Sequence, residues 1–451
     1  MRPAGSAVLG DPPGPLDPVP LELIRADPLG FLRSLVARHG PVVRHVVEGR
    51  PVVTVNDPGG VHHVLTANRA NYVKTGTPDE QMLVPLLGRG LLTSDGDDWR
   101  LQRQLTQPAF QHRQLVTFDS LMSDVAQRLV DSWTAQEGAA VRVDRDLTAA
   151  TLTIVAQALL GSDLAVGARF GAAVDAANRF MGHYGADAAD PDGRREFLQA
   201  KRFLDQIVGL LIAAAGLDDT ARADVLAQLL HARTGERPGG FSPVEIRDQV
   251  ITLMMAGHET TAKALTWTLY LLDRHPAERD RLEREVDTVV GERAVTAADV
   301  PRLVACRNAI YEALRLHPPV WLISRTAVAD DVVAGYTVPA GALVCVSPWL
   351  LHRRTDVWGD DVDDFVPDRF SQRGDVFAPG GSFLPFGAGP RQCIGQQFAV
   401  LESTIVLATV VAGVRLDIAP HHPPVEPEAL VTLRPRHGLL MTPNRRPSRT
   451  R

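Results

Sequence analysis

The stretch FLPFGAGPRQCIGQQFA, Phe383 to Ala399, holds one of only three cysteines in 451 residues. Two glycines, two prolines and an arginine precede Cys393, and the apolar run VLESTIVLATVVAGV, Val400 to Val414, follows it. Three readings compete for this cysteine. It is a buried structural residue, a nucleophile that wants a histidine partner no motif supplies, or a thiolate metal ligand. Gly387 and Gly389 let backbone approach a flat ligand closely. Ile394 and Gly395 are expected to open the next helix, which puts Cys393 at its positive end and should lower the thiol pKa. Loop N–H groups there can hydrogen-bond the sulfur and tune it. One thiolate without companion ligands suggests a metal whose other positions are already filled, as in heme iron.

Composition bounds the alternatives. Length alone suggests two or three domains. Hydrophobic residues make up 45% and charged residues 22%, as in ordinary globular chains. A net charge of −6 argues against nucleic-acid binding. Cys306, Cys345 and Cys393 are too few and too scattered for a disulfide framework or a zinc site, which fits a reducing, cytoplasmic setting. The N-terminal twenty residues read as an extended, proline-rich arm with no signal-peptide core. Thr404 to Val414 reads as a buried core helix too short to span a bilayer, so no membrane anchor is expected.

The first ~90 residues mix strand and helix signals. PVVRHVVEGRPVVTV reads as two strands joined at Glu48-Gly49, and GGVHHVLTA reads as helix. Helical periodicity dominates from about Asp98 to His317. Short strand signals follow, then an irregular Pro/Asp/Gly-rich stretch, one more helix, and short strands in the tail. The expectation is a mainly α protein with small β-sheets at both sequence ends. The longest helix is predicted from the capping box of Ser242 and Glu245, with Pro243 at its first position, to about Asp273. Gly257, Glu259, Thr260 and Thr261 interrupt its apolar centre between Met254, Met255, Leu265 and Trp267. That is a polar notch in an apolar rod, and such breaks in local rules mark function.

The spacing Phe386-x-x-Gly389-x-Arg391-x-Cys393-x-Gly395 resembles the heme-ligand loop of the cytochrome P-450 family. Three further segments resemble the family's signatures in the family's order: AGHETT (Ala256–Thr261), EALR (Glu312–Arg315) and FVPDRF (Phe365–Phe370), the last with Asp368 where Glu is commoner. WRLQR adds the W-x-x-x-R of an early helix. The likeness runs from about residue 20 to 445, so residues 21–445 are read as one domain, 1–20 as the arm and 446–451 as a tail. The resemblance implies the cytochrome P-450 fold, with heme b (iron protoporphyrin IX) buried between the long central helix and the cysteine loop, and Cys393 as its axial thiolate. It implies that Trp99, Arg103, Arg325 and Arg391 hold the heme propionates and that Phe386 packs on the sulfur side. Glu312 and Arg315 share a helix face, and the resemblance joins them to Arg369 in a buried network; His352 is expected nearby as a structural residue. Thr260 is then placed to hold water by hydrogen bonds, with Glu259 as the proton source.

The activity implied is that of a monooxygenase inserting one oxygen atom of dioxygen into a C–H or C=C bond. Apolar residues expected at the substrate are Met255, Ala256, Val320, Trp321, Leu322, Ile323 and Leu430, with Met82, Leu83, Ala429 and Val431 as further candidates. They suggest a lipophilic substrate such as a terpene, fatty acid or polyketide, in bacterial specialised metabolism. Electrons are expected from a separate ferredoxin and ferredoxin reductase, docking near Arg100 and Arg113, and a monomer is expected. The rivals are a heme-thiolate isomerase, dehydratase or peroxygenase independent of a redox partner, against which Glu259-Thr260 speaks, and a non-enzymatic heme sensor.

Overall fold

The computed structural model describes residues 10–161, 168–182, 191–217, 225–232, 240–377 and 381–446. Nine helices position the site: α1 (Pro78–Leu87), α2 (Gly96–Thr106), α3 (Asp119–Thr134), α4 (Val143–Leu160), α5 (Ala168–Gly182), α6 (Pro191–Leu217), α7 (Pro243–Arg274), α8 (Val304–Leu316) and α9 (Gln396–Gly413). The expected long helix is α7, with 32 residues, or ~48 Å at 1.5 Å per residue. Its start is set as the sequence indicates. Ser242 Oγ accepts from Glu245 N, the Glu245 carboxylate accepts from Ser242 N at 2.8 Å, and Pro243 occupies the first turn.

The helix joins two apolar cores. Met254 and Met255 belong to one, with α4, α5 and α6; Ala262 to Leu272 belong to the other, with α3, α8 and α9. The notch residues lie where α7 leaves one core for the other. α9 starts at Gln396, with Gly395 as its N-cap residue, so Ile394 and Gly395 precede the helix instead of opening it. Among the described residues it is the one helix long and apolar enough to cross a membrane, and 61% of it is buried inside the protein.

The two strands expected early are Val42–Val47 and Arg50–Val55, paired antiparallel across the Glu48-Gly49 turn. They form the edge of a five-stranded sheet that continues through Leu343–Val346, Ile323–Ala327 and Tyr72–Val73. The N-terminal arm lies along this sheet: Pro13 O accepts from Arg44 N, and Val46 O from Val19 N. A three-stranded sheet orders Val141–Arg142, Leu440–Arg445 and Val414–Ile418. The GGVHHVLTA stretch forms Pro58–His62 and then a wider π turn over His63–Ala67.

The segment before the cysteine loop is fastened from within. Arg315 Nε and Nη2 each donate to Glu312 at 2.8 Å, and its other N–H groups reach the carbonyls of His352, Val362 and Asp364. Glu312 Oε1 also accepts from Val366 N and Arg369 Nε. Arg315 and Glu312 are fully buried, so this network, once formed, leaves no room for partial satisfaction. His352 accepts from Leu384 N at 2.8 Å through Nε2 and faces Arg315 O at 3.2 Å through Nδ1. Burial first, and then the Arg315 charge, push its pKa down to about 3, so it is a neutral hydrogen-bonding strut.

Candidate functional site

A cavity of about 440 Å³ opens between the cysteine loop, the middle of α7 and the segment after α8. The loop is folded by its own backbone: Cys393 N donates to Phe386 O at 2.9 Å and Gly387 N to Leu384 O at 3.1 Å. Gly387 and Gly389 have φ of +71° and +69°, where glycine is favoured. At Gly389 a side chain would also run into the Leu65 carbonyl, while at Gly387 the space is open. So the close backbone approach visible here is to Leu65. The Cys393 side chain is open to the cavity. Burial by the surrounding protein pushes its thiol pKa up, and the Gly395 N–H and the Arg103 charge oppose that rise. The helix-end lowering expected from sequence is outweighed by desolvation.

On α7, Ala256, Gly257, Glu259, Thr260 and the mostly buried Thr261 line the cavity, whereas His258 is buried away from it. Thr260 Oγ1 donates to Ala256 O at 2.8 Å, so it presents lone pairs to the space beside it. Glu259 Oε1 accepts from Thr432 Oγ1 at 2.9 Å. Thr432 comes from the C-terminal hairpin and carries no signal in the sequence.

A second group gathers at the loop's other edge. Arg391 donates to Ser94 O at 2.7 Å and to Asp95, and its guanidinium lies 4.5 Å from the Trp99 ring centroid. Arg103 donates to Gln392 O at 2.9 Å. Arg325 is buried; desolvation and the Arg391 charge bring its pKa down to about 10. Lys74, one of only three lysines in the chain, lines the same wall and donates to Leu92 O at 2.7 Å. Burial, then Arg325 and Arg391, pull its pKa down to about 7. Among the described residues, Asp79 and Asp95 are the carboxylates set against these four cations, so this edge of the wall holds more positive than negative charge. Sequence reasoning found three of these cations and missed Lys74; a lysine in a chain whose cations are otherwise nearly all arginine was the available signal.

The expected substrate residues Met255, Ala256, Val320, Trp321, Leu322, Ile323 and Leu430 all line the cavity, as do Met82, Leu83, Val431 and Phe386. Trp321 Nε1 is tied to Leu430 O at 2.8 Å. Ala429 does not line it; it packs toward Leu29, Leu32 and Trp349. Also missed was Glu402 on α9, fully buried, with neither carboxyl oxygen hydrogen-bonded among the described residues.

The family model described as Cytochrome P450 matches residues 12–442. Cyclooctatin synthase of Streptomyces melanosporofaciens is 37% identical over 88% of this chain and 87% of its own length. Cyclooctat-9-en-7-ol 5-monooxygenase of the same organism is 31% identical over 87% and 86%. The crystal structure of the cytochrome P450DA heme domain superposes with a TM-score of 0.89 at 26% identity, covering 98% of this chain and 99% of that one. A mainly helical body with small sheets, a lone cysteine on a glycine-rich loop and a long notched helix over one cavity are thus features of an oxidoreductase fold, and the chain belongs to the cytochrome P450 family.

Proposed function

We propose that this protein is a heme-thiolate monooxygenase that hydroxylates or epoxidises a cyclic terpenoid, with Cys393 as the iron ligand. The observation that carries the reading is the Cys393 thiol opening into the cavity that Glu259 and Thr260 also line. The family's cofactor is heme held by a cysteine thiolate, and the residues present fit it. The thiol is accessible, and Lys74, Arg103, Arg325 and Arg391 leave a positive excess that the two heme propionates would balance. Bound there, heme supplies oxygen activation, with thiolate donation favouring O–O cleavage.

The chain's own residues do the rest. The guanidinium of Arg391, packed on Trp99 and tied to Asp95, is pre-oriented for a carboxylate. Thr260 accepts hydrogen bonds from water in the cavity, and Glu259, turned toward Thr432, brings protons to that water. The apolar wall around Met255, Leu322 and Ile323 excludes bulk water and selects a lipophilic substrate. One relative is named as a monooxygenase of cyclooctat-9-en-7-ol, a cyclic alcohol, which supports a cyclic lipophilic substrate. Electrons come from a separate ferredoxin docking on the cysteine side, where the exposed Arg100 and Arg113 offer complementary charge.

Thiolate ligation gives a red-shifted Soret band in the reduced carbon monoxide complex. Cys393→Ser should abolish that band while Cys306→Ser and Cys345→Ser keep it. Its persistence in Cys393→Ser would refute the assignment. Oxygenated product that forms only with reductase, ferredoxin and dioxygen separates this reading from an isomerase or a sensor.

A further inference from the structure

The cavity wall contains one amide that no described residue satisfies. α4 and α5 contribute Val155, Ala158, Leu159, Met181 and Asn178 to the wall, and Asn178 alone is polar. It shares the inner face of α5 with the buried Val174 and Met181, four residues before and three after. Asn178 faces the same cavity as the notch residues Ala256, Gly257, Glu259 and Thr260. Among the described residues, Asn178 has no hydrogen-bond partner. In the free protein cavity water can pair with this amide, but a hydrocarbon that displaced the water would leave it unpaired, a loss that a leucine of similar size would not incur. A pocket for a pure hydrocarbon gains nothing from it.

We propose that Asn178 anchors a hydroxyl or carbonyl group of the substrate, so the substrate is a terpenoid that already carries oxygen. This rests on the terpenoid reading above. The amide both donates and accepts, which suits a neutral alcohol or ketone. A carboxylic acid would call for a cation, and the wall's cations, Lys74, Arg103, Arg325 and Arg391, lie together at the edge of the cysteine loop. The enzyme therefore acts after a step that installs oxygen: either a cyclisation ended by water capture or an earlier hydroxylation.

The test is a Soret spin-state titration of the holoenzyme with matched pairs differing by one hydroxyl: cedrane and cedrol, abietatriene and ferruginol. The wild type should bind the hydroxylated member about tenfold or more tightly, because a site built to hydrogen-bond a hydroxyl rejects the analogue without it. Asn178→Leu should reduce that ratio to about threefold or less, by weakening the alcohol and sparing the hydrocarbon. Asn178→Ser, which keeps a donor and an acceptor, should fall between them and serves if the leucine variant loses its thiolate carbon monoxide band. Equal affinities in the wild type, or an undiminished ratio in both variants, overturn the role of Asn178 alone. If no member of either pair shifts the wild-type band, the terpenoid reading itself fails.

Discussion

Arg315→Lys tests whether the buried network depends on the shape of the guanidinium or only on its charge. Arg315 makes five hydrogen bonds: two to Glu312 at 2.8 Å and three to the carbonyls of His352, Val362 and Asp364, at 3.0, 2.6 and 3.0 Å. Those acceptors lie on different sides of the fork. A lysine carries its three donors on one atom, so it can hold Glu312 and at most one carbonyl. Two buried carbonyls then lose their donor, at about 1–3 kcal/mol each, or about 2–6 kcal/mol together. Domains of this kind have about 5–15 kcal/mol in total, so the variant should fold but lose a large share of its margin. Urea unfolding followed by Soret absorbance should show a lower midpoint with an unchanged slope. Heme should also be released faster, because His352 O is one of the lost acceptors and His352 Nε2 accepts from Leu384 N just before the cysteine loop. The control is Arg281→Lys at the Asp368 pair, 2.6 Å long and 38% and 42% exposed, which should shift stability by less than about 1 kcal/mol. An Arg315→Lys protein as stable as that control would refute the reasoning, since charge alone would then suffice.

Thr260→Ala should retain heme and substrate binding but divert electrons from product to hydrogen peroxide; tight coupling in that variant would remove Thr260 from proton delivery. Burial holds the Glu402 carboxyl well above the usual carboxylate range, with the Thr261 hydroxyl beside it. The folded chain thus keeps a proton that the unfolded chain releases as pH rises above about 4.5, so Glu402 destabilises the fold increasingly up to its own raised pKa. Glu402→Gln should therefore gain stability relative to the wild type between pH 5 and pH 8, and a difference in urea midpoint that stays flat across that range would show that the carboxyl ionises normally. Lys74 has a pKa of about 7 in the chain without a bound anion. Propionate binding favours its charged form, so the ratio of wild-type to Lys74→Met heme affinity, in which the Cys393 proton release common to both cancels, should be level below pH 7 and fall above it, by up to about tenfold per unit. Lys74→Met should bind heme more weakly at low pH; a ratio that does not change with pH would separate Lys74 from the propionates.

The loop around Cys393 was legible because its chemistry is packed into adjacent residues: a thiol, two glycines whose φ is positive, and an arginine two positions away. α7 was legible for a similar reason, since its cap, its proline and its polar notch are all local. The Glu312–Arg315 pair showed a shared face, and the resemblance implied its buried network with Arg369, but not the three carbonyls it holds, which come from segments 37 to 49 residues further along the chain. Asn178, Glu402 and Thr432 were not legible at all, and Lys74 only as a rare lysine among arginines. Each is an ordinary polar residue on its own element and acquires meaning only from what faces it across the cavity or the α7–α9 contact. Ala256 and Ala429 show the limit most simply. Both read as apolar lining, yet Ala256 faces the cavity and Ala429 packs toward Trp349. Periodicity reports which face of an element is apolar, and a packed core and an apolar cavity wall present the same face. Only the packing of distant segments against one another decides which of the two that face meets.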